Sequence, residues 1–102
     1  MEIRFEVKTP LEFCVRTSDE YWNKLVFKHP DIAELESEVK RTLSEPEEIR
    51  QSSRDKRVLL FYRMLKQKRW VVAVVRQLSG DGFLITAYQT NAIKEGELVW
   101  PK

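Results

Sequence analysis

Cysteine is all but missing from this chain. Cys14 stands alone, which excludes an intrachain disulfide and leaves a cysteine-built metal site without a second ligand. Histidine also occurs once, at His29, so no multi-histidine metal site can form. The three glycines never fall into a phosphate-cradling loop, and no Gly-x-Ser-x-Gly elbow is present. No apolar run approaches the roughly 18 residues of a membrane span, and the opening MEIRFEVK lacks the basic-then-apolar order of a secretory signal. These absences set the expectation: a cytoplasmic domain with no membrane contact, no metal and no cofactor.

What the chain does hold is enough for one packed domain. Its 102 residues are 42% hydrophobic and 33% charged, a balance that suits a globular fold rather than a disordered segment. We read residues 1–102 as a single domain. The net charge of +2 is unevenly spread: residues 17–48 carry nine acids against four bases, whereas residues 49–76 carry nine bases against Asp55 alone. That asymmetry fits an anionic partner for the basic half. It fits equally well a sheet edge and hairpin tip that Lys and Arg keep soluble.

Alternation of Ile3, Phe5 and Val7 with charged neighbours predicts a half-buried strand. Thr9-Pro10 ends it, and residues 12–16 form a second short strand. Thr17 followed by Glu20 reads as a capping box for a helix over 18–27, with Trp22, Leu25 and Val26 inward. Pro30, suited to a helical first turn, opens a second helix over 30–43 whose buried stripe is Ile32, Leu35, Val39 and Leu43. Residues 47–54 are polar and read as an extended edge segment. Strands follow at 58–66 and 70–78 around a Gln67-Lys68 turn, then a third at 83–90 after the turn Ser79-Gly80-Asp81-Gly82. A last short strand covers 97–100. Helices first and a strand meander afterwards give an α+β fold. In it, both helices pack on one face of a roughly four-stranded antiparallel sheet, and the short N-terminal strands lie beside it. The other face is expected to be more polar, or to hold a ligand.

Strand parity organises the candidate site. In 83–90, Phe83, Ile85 and Ala87 project toward the helices, and Thr86, Tyr88 and Thr90 project away from them. In an extended 49–54, Arg50, Ser52 and Arg54 share a face, and two guanidiniums flanking a hydroxyl could clamp a phosphate. An exposed strand made soluble by charge would look the same. His29 is the one side chain suited to proton transfer near neutral pH, although a cap or packing role at a helix junction explains it as simply.

Taken in order, the segments form a pattern: Lys28-His29-Pro30 after a helix, an amphipathic helix running to Glu45-Pro46-Glu47, then Ile49-Arg50-Gln51-Ser52 and Asp55, Leu60-Phe61-Tyr62, the strand 70–75, and Ile85-Thr86-Ala87-Tyr88-Gln89-Thr90. This resembles the phage-associated branch of the barnase–EndoU–colicin–RelE-like nuclease superfamily, over residues 15–100. The resemblance implies a metal-independent endoribonuclease, a toxin or effector, that drives 2′-hydroxyl attack to a 2′,3′-cyclic phosphate. RNA is then the partner, and an inhibitor or antitoxin protein is a second one. It implies His29 as acid or base, Arg50 and Ser52 at the phosphate, and Thr86 and Tyr88 as donors or, for Tyr88, a stacking surface. Arg54, Lys56, Arg57, Arg63 and Thr90 fall to nucleic-acid binding. Tyr62 and Arg63 lie on opposite faces of one strand, so one of them at most joins the site, and Arg63 is the one expected there. A non-catalytic nucleic-acid-binding or protein-interaction module of the same fold is the alternative. Catalysis requires His29 within about one water's reach of the arginines and of Thr86 and Tyr88.

Overall fold

The computed structural model describes residues 2–93 and 95–101. Strands β1 (Ile3–Lys8) and β2 (Cys14–Ser18) lead into helix α1 (Asp19–Lys28). A 3-10 segment (Pro30–Leu35) and helix α2 (Glu36–Ser44) follow. The chain ends in β3 (Glu48–Gln51), β4 (Val58–Lys66), β5 (Arg69–Gln77), β6 (Asp81–Thr90) and β7 (Glu97–Trp100). The α+β class is as expected. The sheet is larger than expected, seven strands in the order β1-β2-β6-β5-β4-β3-β7, and mixed, because β2 runs parallel to β6 while the other neighbours are antiparallel.

Several local expectations shift by a residue or a turn. Ser18, not Thr17, caps α1: its Oγ accepts from the Tyr21 backbone N–H at 3.2 Å. Thr17 belongs to β2 and is buried, and its Oγ1 has no hydrogen-bond partner among the described residues. Pro30 does open a helical stretch, but its first turns are 3-10, closed by Ile32 N–H to the His29 carbonyl at 2.9 Å. β3 is not an edge. β7 returns to pair with it, opposite β4, so its carbonyls and N–H groups are used on both sides.

Both helices cover one face. Trp22, Leu25, Ile32, Val39 and Leu43 share a core with Val15, Ile49, Phe61, Val71, Ala73, Val75, Leu84 and Ala87. The expected parity of β6 fails in its first half. Val74 pairs with Thr86 but Val75 pairs with Leu84, so Ile85 is the extra residue of a β-bulge, which re-aims neighbouring side chains. Leu84, rather than Phe83 or Ile85, therefore enters the core ahead of Ala87.

The second face is not open, contrary to expectation. From the end of β6 the chain must pass β5, β4 and β3 to reach the place of β7, so the β6–β7 connection, described at residues 91–93 and 95–96, crosses that face. Ile93 packs there against Leu60, Tyr62 and Val72, and Tyr62 is left only 2% exposed. Gly96 makes the crossing possible. Its φ is +83° and a Cβ would lie 2.4 Å from the Gln51 carbonyl oxygen, so a side chain would be both strained and obstructed.

Candidate functional site

The cross-strand registers place the predicted residues. Arg50 pairs with Leu60, Leu60 with Val74 and Val74 with Thr86. One row along, Glu48 pairs with Tyr62, Tyr62 with Val72 and Val72 with Tyr88. Side chains in such rows share a face, so Arg50, Thr86 and Tyr88 do lie on the same side of the sheet. They stand three strands apart, however. Three strand spacings of about 4.8 Å separate Arg50 from Thr86, roughly 14 Å, and the β6–β7 connection, with Ile93 packed on Leu60, Tyr62 and Val72, spans the ground between.

At the β6 end, three of the predicted residues converge. His29 terminates α1, where its backbone N–H donates to the Leu25 carbonyl at 2.9 Å. Its ring centre lies 6.2 Å from that of Tyr88. Alongside, α1 and β6 enclose a groove of about 790 Å³ whose lining includes His29, Thr86, Ile85, Tyr21, Lys24 and Lys28. The Tyr21 and Phe83 rings meet edge to face at 4.8 Å, which fixes the groove's opposite end.

Burial, reinforced by Glu95, raises the Tyr88 hydroxyl above its ordinary value. Burial likewise pushes Tyr62 up to about 12, with Tyr88 and Glu95 adding to the effect and Arg50 opposing it. Both phenols therefore keep their protons near neutral pH and act as O–H donors, not as bases.

The arginine end is organised differently. The Arg50 guanidinium is engaged with Glu48 (Nε to Oε1, 2.9 Å) and with the Gly96 carbonyl (Nη1, 3.2 Å). Ser52 is turned to local use, its Oγ accepting from the Arg54 N–H at 3.2 Å. A cleft of about 330 Å³ there is lined by Ser52, Ser53, Arg54, Glu95 and Gly96. The structure thus brings His29 together with Thr86 and Tyr88, and does not bring Arg50 or Ser52 to them.

The remaining predicted cations are dispersed. Arg57 and Arg76 both pair with Asp55, at 3.7 and 3.4 Å. The Arg57 backbone N–H, ahead of the charge of these arginines, draws the Asp55 carboxyl below its usual range. Lys56 is exposed on the same loop. Arg63 pairs across to Val71, on the helix face, and donates to the Glu45 carbonyl at 2.6 Å. Tyr62, not Arg63, is thus the member of that pair on the site's face, a correction that follows from which of the two shares a row with Tyr88. Thr90 spends its hydroxyl on the Ala92 carbonyl at 3.1 Å.

Sequence reasoning passed over Glu48, whose two-residue offset from Arg50 already put both on one face. It also passed over Tyr21, Lys24 and Ile85. The helix periodicity was used only for its buried side, and the bulge that turns Ile85 outward has no signature in composition. Among the described residues no cluster of three or more His, Cys, Asp or Glu side chains is placed to hold a metal, and no helix is long and apolar enough to cross a membrane. No protein-family model, no curated protein and no solved structure matches this chain.

Proposed function

We propose that the chain is a metal-independent RNA-cleaving domain whose chemistry lies at the α1–β6 end of the sheet. The observation that carries this reading is the meeting of His29 with Tyr88, 6.2 Å between ring centres, beside a groove that His29 lines together with Thr86, Lys24 and Lys28. In the reaction, the ribose 2′-oxygen attacks the adjacent phosphorus and its proton passes to His29. The bond from phosphorus to the 5′-oxygen breaks, and that oxygen takes a proton from water. A 2′,3′-cyclic phosphate and a 5′-hydroxyl remain. Tyr88 and Thr86 donate hydrogen bonds to the phosphoryl oxygens and the two lysines offset the growing charge, a form of stabilisation that can be worth orders of magnitude in rate. Arg50 and Ser52 have no part in this reduced site.

A second reading draws on the same geometry. The forked phosphate clamp is missing from the His29 end, because Arg50 is held by Glu48 and Gly96. A domain without that clamp could bind RNA and leave it intact. One experiment decides between them. Purified protein is incubated with a mixed-sequence RNA in EDTA, and the product ends are examined. Cyclic-phosphate ends that fall at least tenfold with His29→Ala, at an unchanged melting temperature, support cleavage. A parent protein that retards RNA and never cuts it moves the assignment to binding. Cleavage that survives His29→Ala removes His29 from the mechanism.

A further inference from the structure

Phe27 stands in the last turn of α1 and is 87% exposed. It belongs to neither hydrophobic cluster and meets no other ring among the described residues. A single exposed apolar side chain needs no explanation, but a set gathered in one place does. Phe27 lines the groove between α1 and β6 together with Tyr21 and Ile85, each 43% exposed. Tyr21 is already engaged: its ring meets Phe83 edge to face at 4.8 Å, and the Lys24 Nζ lies 5.3 Å from its centre. Between the two, Phe27 is the ring without a partner.

The groove's charge narrows the occupant. Lys24, Lys28 and His29 line it, and no acidic residue does among the described residues. Lys24 reaches Glu20 at 3.5 Å, but both side chains are largely in water, where such a pair is weak and readily exchanged. Lys24 and Phe27, three residues apart, are neighbours on the surface of one helix. The groove thus offers a flat apolar ring, a cation beside it and, where α1 ends, the imidazole that meets Tyr88. A nucleotide of an unpaired strand carries the complements of all three, a π face and a phosphate. The volume of about 790 Å³ falls within the range of small-ligand sites and has room for a base. In a duplex the bases are paired and stacked on one another, and only a base splayed out of the stack can lie on a side-chain ring.

We propose that the substrate is single-stranded RNA and that this groove seats one unpaired base on the Phe27 ring, with the adjoining phosphates at Lys24 and Lys28. Stacking of this kind holds a strand whatever its sequence, since every base has a π face. The assignment rests on the cleavage reading, which puts the scissile phosphate at His29, and it adds what that site lacks, a hold on the base.

The probe is a labelled mixed-sequence RNA of about twelve nucleotides with 2′-fluoro groups, which offers no 2′-hydroxyl for attack, and its binding to the intact protein is followed by fluorescence anisotropy. The single strand is expected to bind at least tenfold more tightly than the same strand in a duplex. Phe27→Ser should weaken single-strand binding about tenfold, the loss of one base–aromatic stack, and leave duplex binding and the melting temperature near the parent values. Phe27→Trp should keep the parent affinity and Phe27→Leu should not, because Leu supplies apolar area without a ring face. A strand of abasic sites should be indifferent to all three changes. Any of three results overturns the proposal: equal affinity for duplex and single strand, single-strand binding unmoved by Phe27→Ser, or Phe27→Leu without loss. None of these readouts uses cleavage. A protein that shows the expected pattern and never cuts RNA loses the nuclease reading and keeps the base site. One that cuts RNA with a parental KM after Phe27→Ser loses the base site and keeps the nuclease reading.

Discussion

Leu35 and Leu43 sit two turns apart on one apolar stripe in the sequence, yet they differ in what they hold. Leu43 is fully buried, at 0% exposure, in the core beneath α2, whereas Leu35 ends the 3-10 segment half-buried at the core's margin. A tighter helix rotates its side chains differently from an α-helix, so a stripe drawn at α-helical spacing overstates Leu35. Leu43→Ala should cost about 2–5 kcal/mol, the range for a large-to-small change with a residual cavity, and Leu35→Ala clearly less. Urea denaturation of both variants checks the order. Equal losses would mean that the two turns are packed alike. The same scale separates the candidate site residues. His29 is held by a backbone bond at the end of α1 and meets Tyr88, whereas Arg50 is neutralised by its neighbour two residues back. Parity predicts which side chains share a face and says nothing of how far apart the strands stand.

Among the elements, β4, β5 and β6 were legible almost to the residue, because alternation and β-branched residues lie between strong turns at Gln67-Lys68 and Ser79–Gly82. Four features were not. The parallel pairing of β2 with β6, the return of β7 to β3, the bulge at Ile85 and the crossing by the β6–β7 connection all depend on contacts distant in sequence. Local periodicity carries no information about them. Arg4 shows how such contacts tie elements together. From β1 it reaches Glu36 at the start of α2 at 2.8 and 2.9 Å, and Asp19 at the start of α1 at 3.0 Å. The hydrogen bonds and charge of Arg4 hold the Glu36 carboxyl below the ordinary range, against a smaller opposing effect of burial. A carboxyl depressed in the folded state contributes stability above its unfolded pKa, about 4.3 for Glu. That contribution is lost as pH falls through the folded value. Glu36→Gln should therefore show a smaller drop in Tm between pH 5 and pH 3 than the parent. A parent and variant with parallel Tm profiles would mean that the bridge contributes nothing measurable to the acid limb.

At the scale of the whole molecule, the basic half of the sequence does not become one basic surface. β4 and β5 form a hairpin of nine-residue strands, so its base and tip lie about 26 Å apart at strand rise. At the base, Arg57 and Arg76 are paired with Asp55, with Arg54 and Lys56 exposed nearby. At the tip, Lys66, Lys68 and Arg69 are exposed and no acid lies among residues 66–69. The tip lies toward the His29 end, since Trp70 pairs with Thr90, two residues beyond Tyr88. An RNA strand engaged at His29 would thus run toward the tip cations rather than toward the base. For single strands, every phosphate that a protein neutralises adds about 0.7 to the steepness of log K against log salt, through the counterions released. Lys66→Glu with Lys68→Glu should flatten that slope by about 0.7 for each phosphate no longer neutralised, while Arg54→Glu with Lys56→Glu leaves it near the parent value. Fluorescence anisotropy of labelled single-stranded RNA across a salt series measures both. If the base variant flattens the slope and the tip variant does not, RNA lies toward Arg54 and Ser52, and the His29 end is not where its backbone is held.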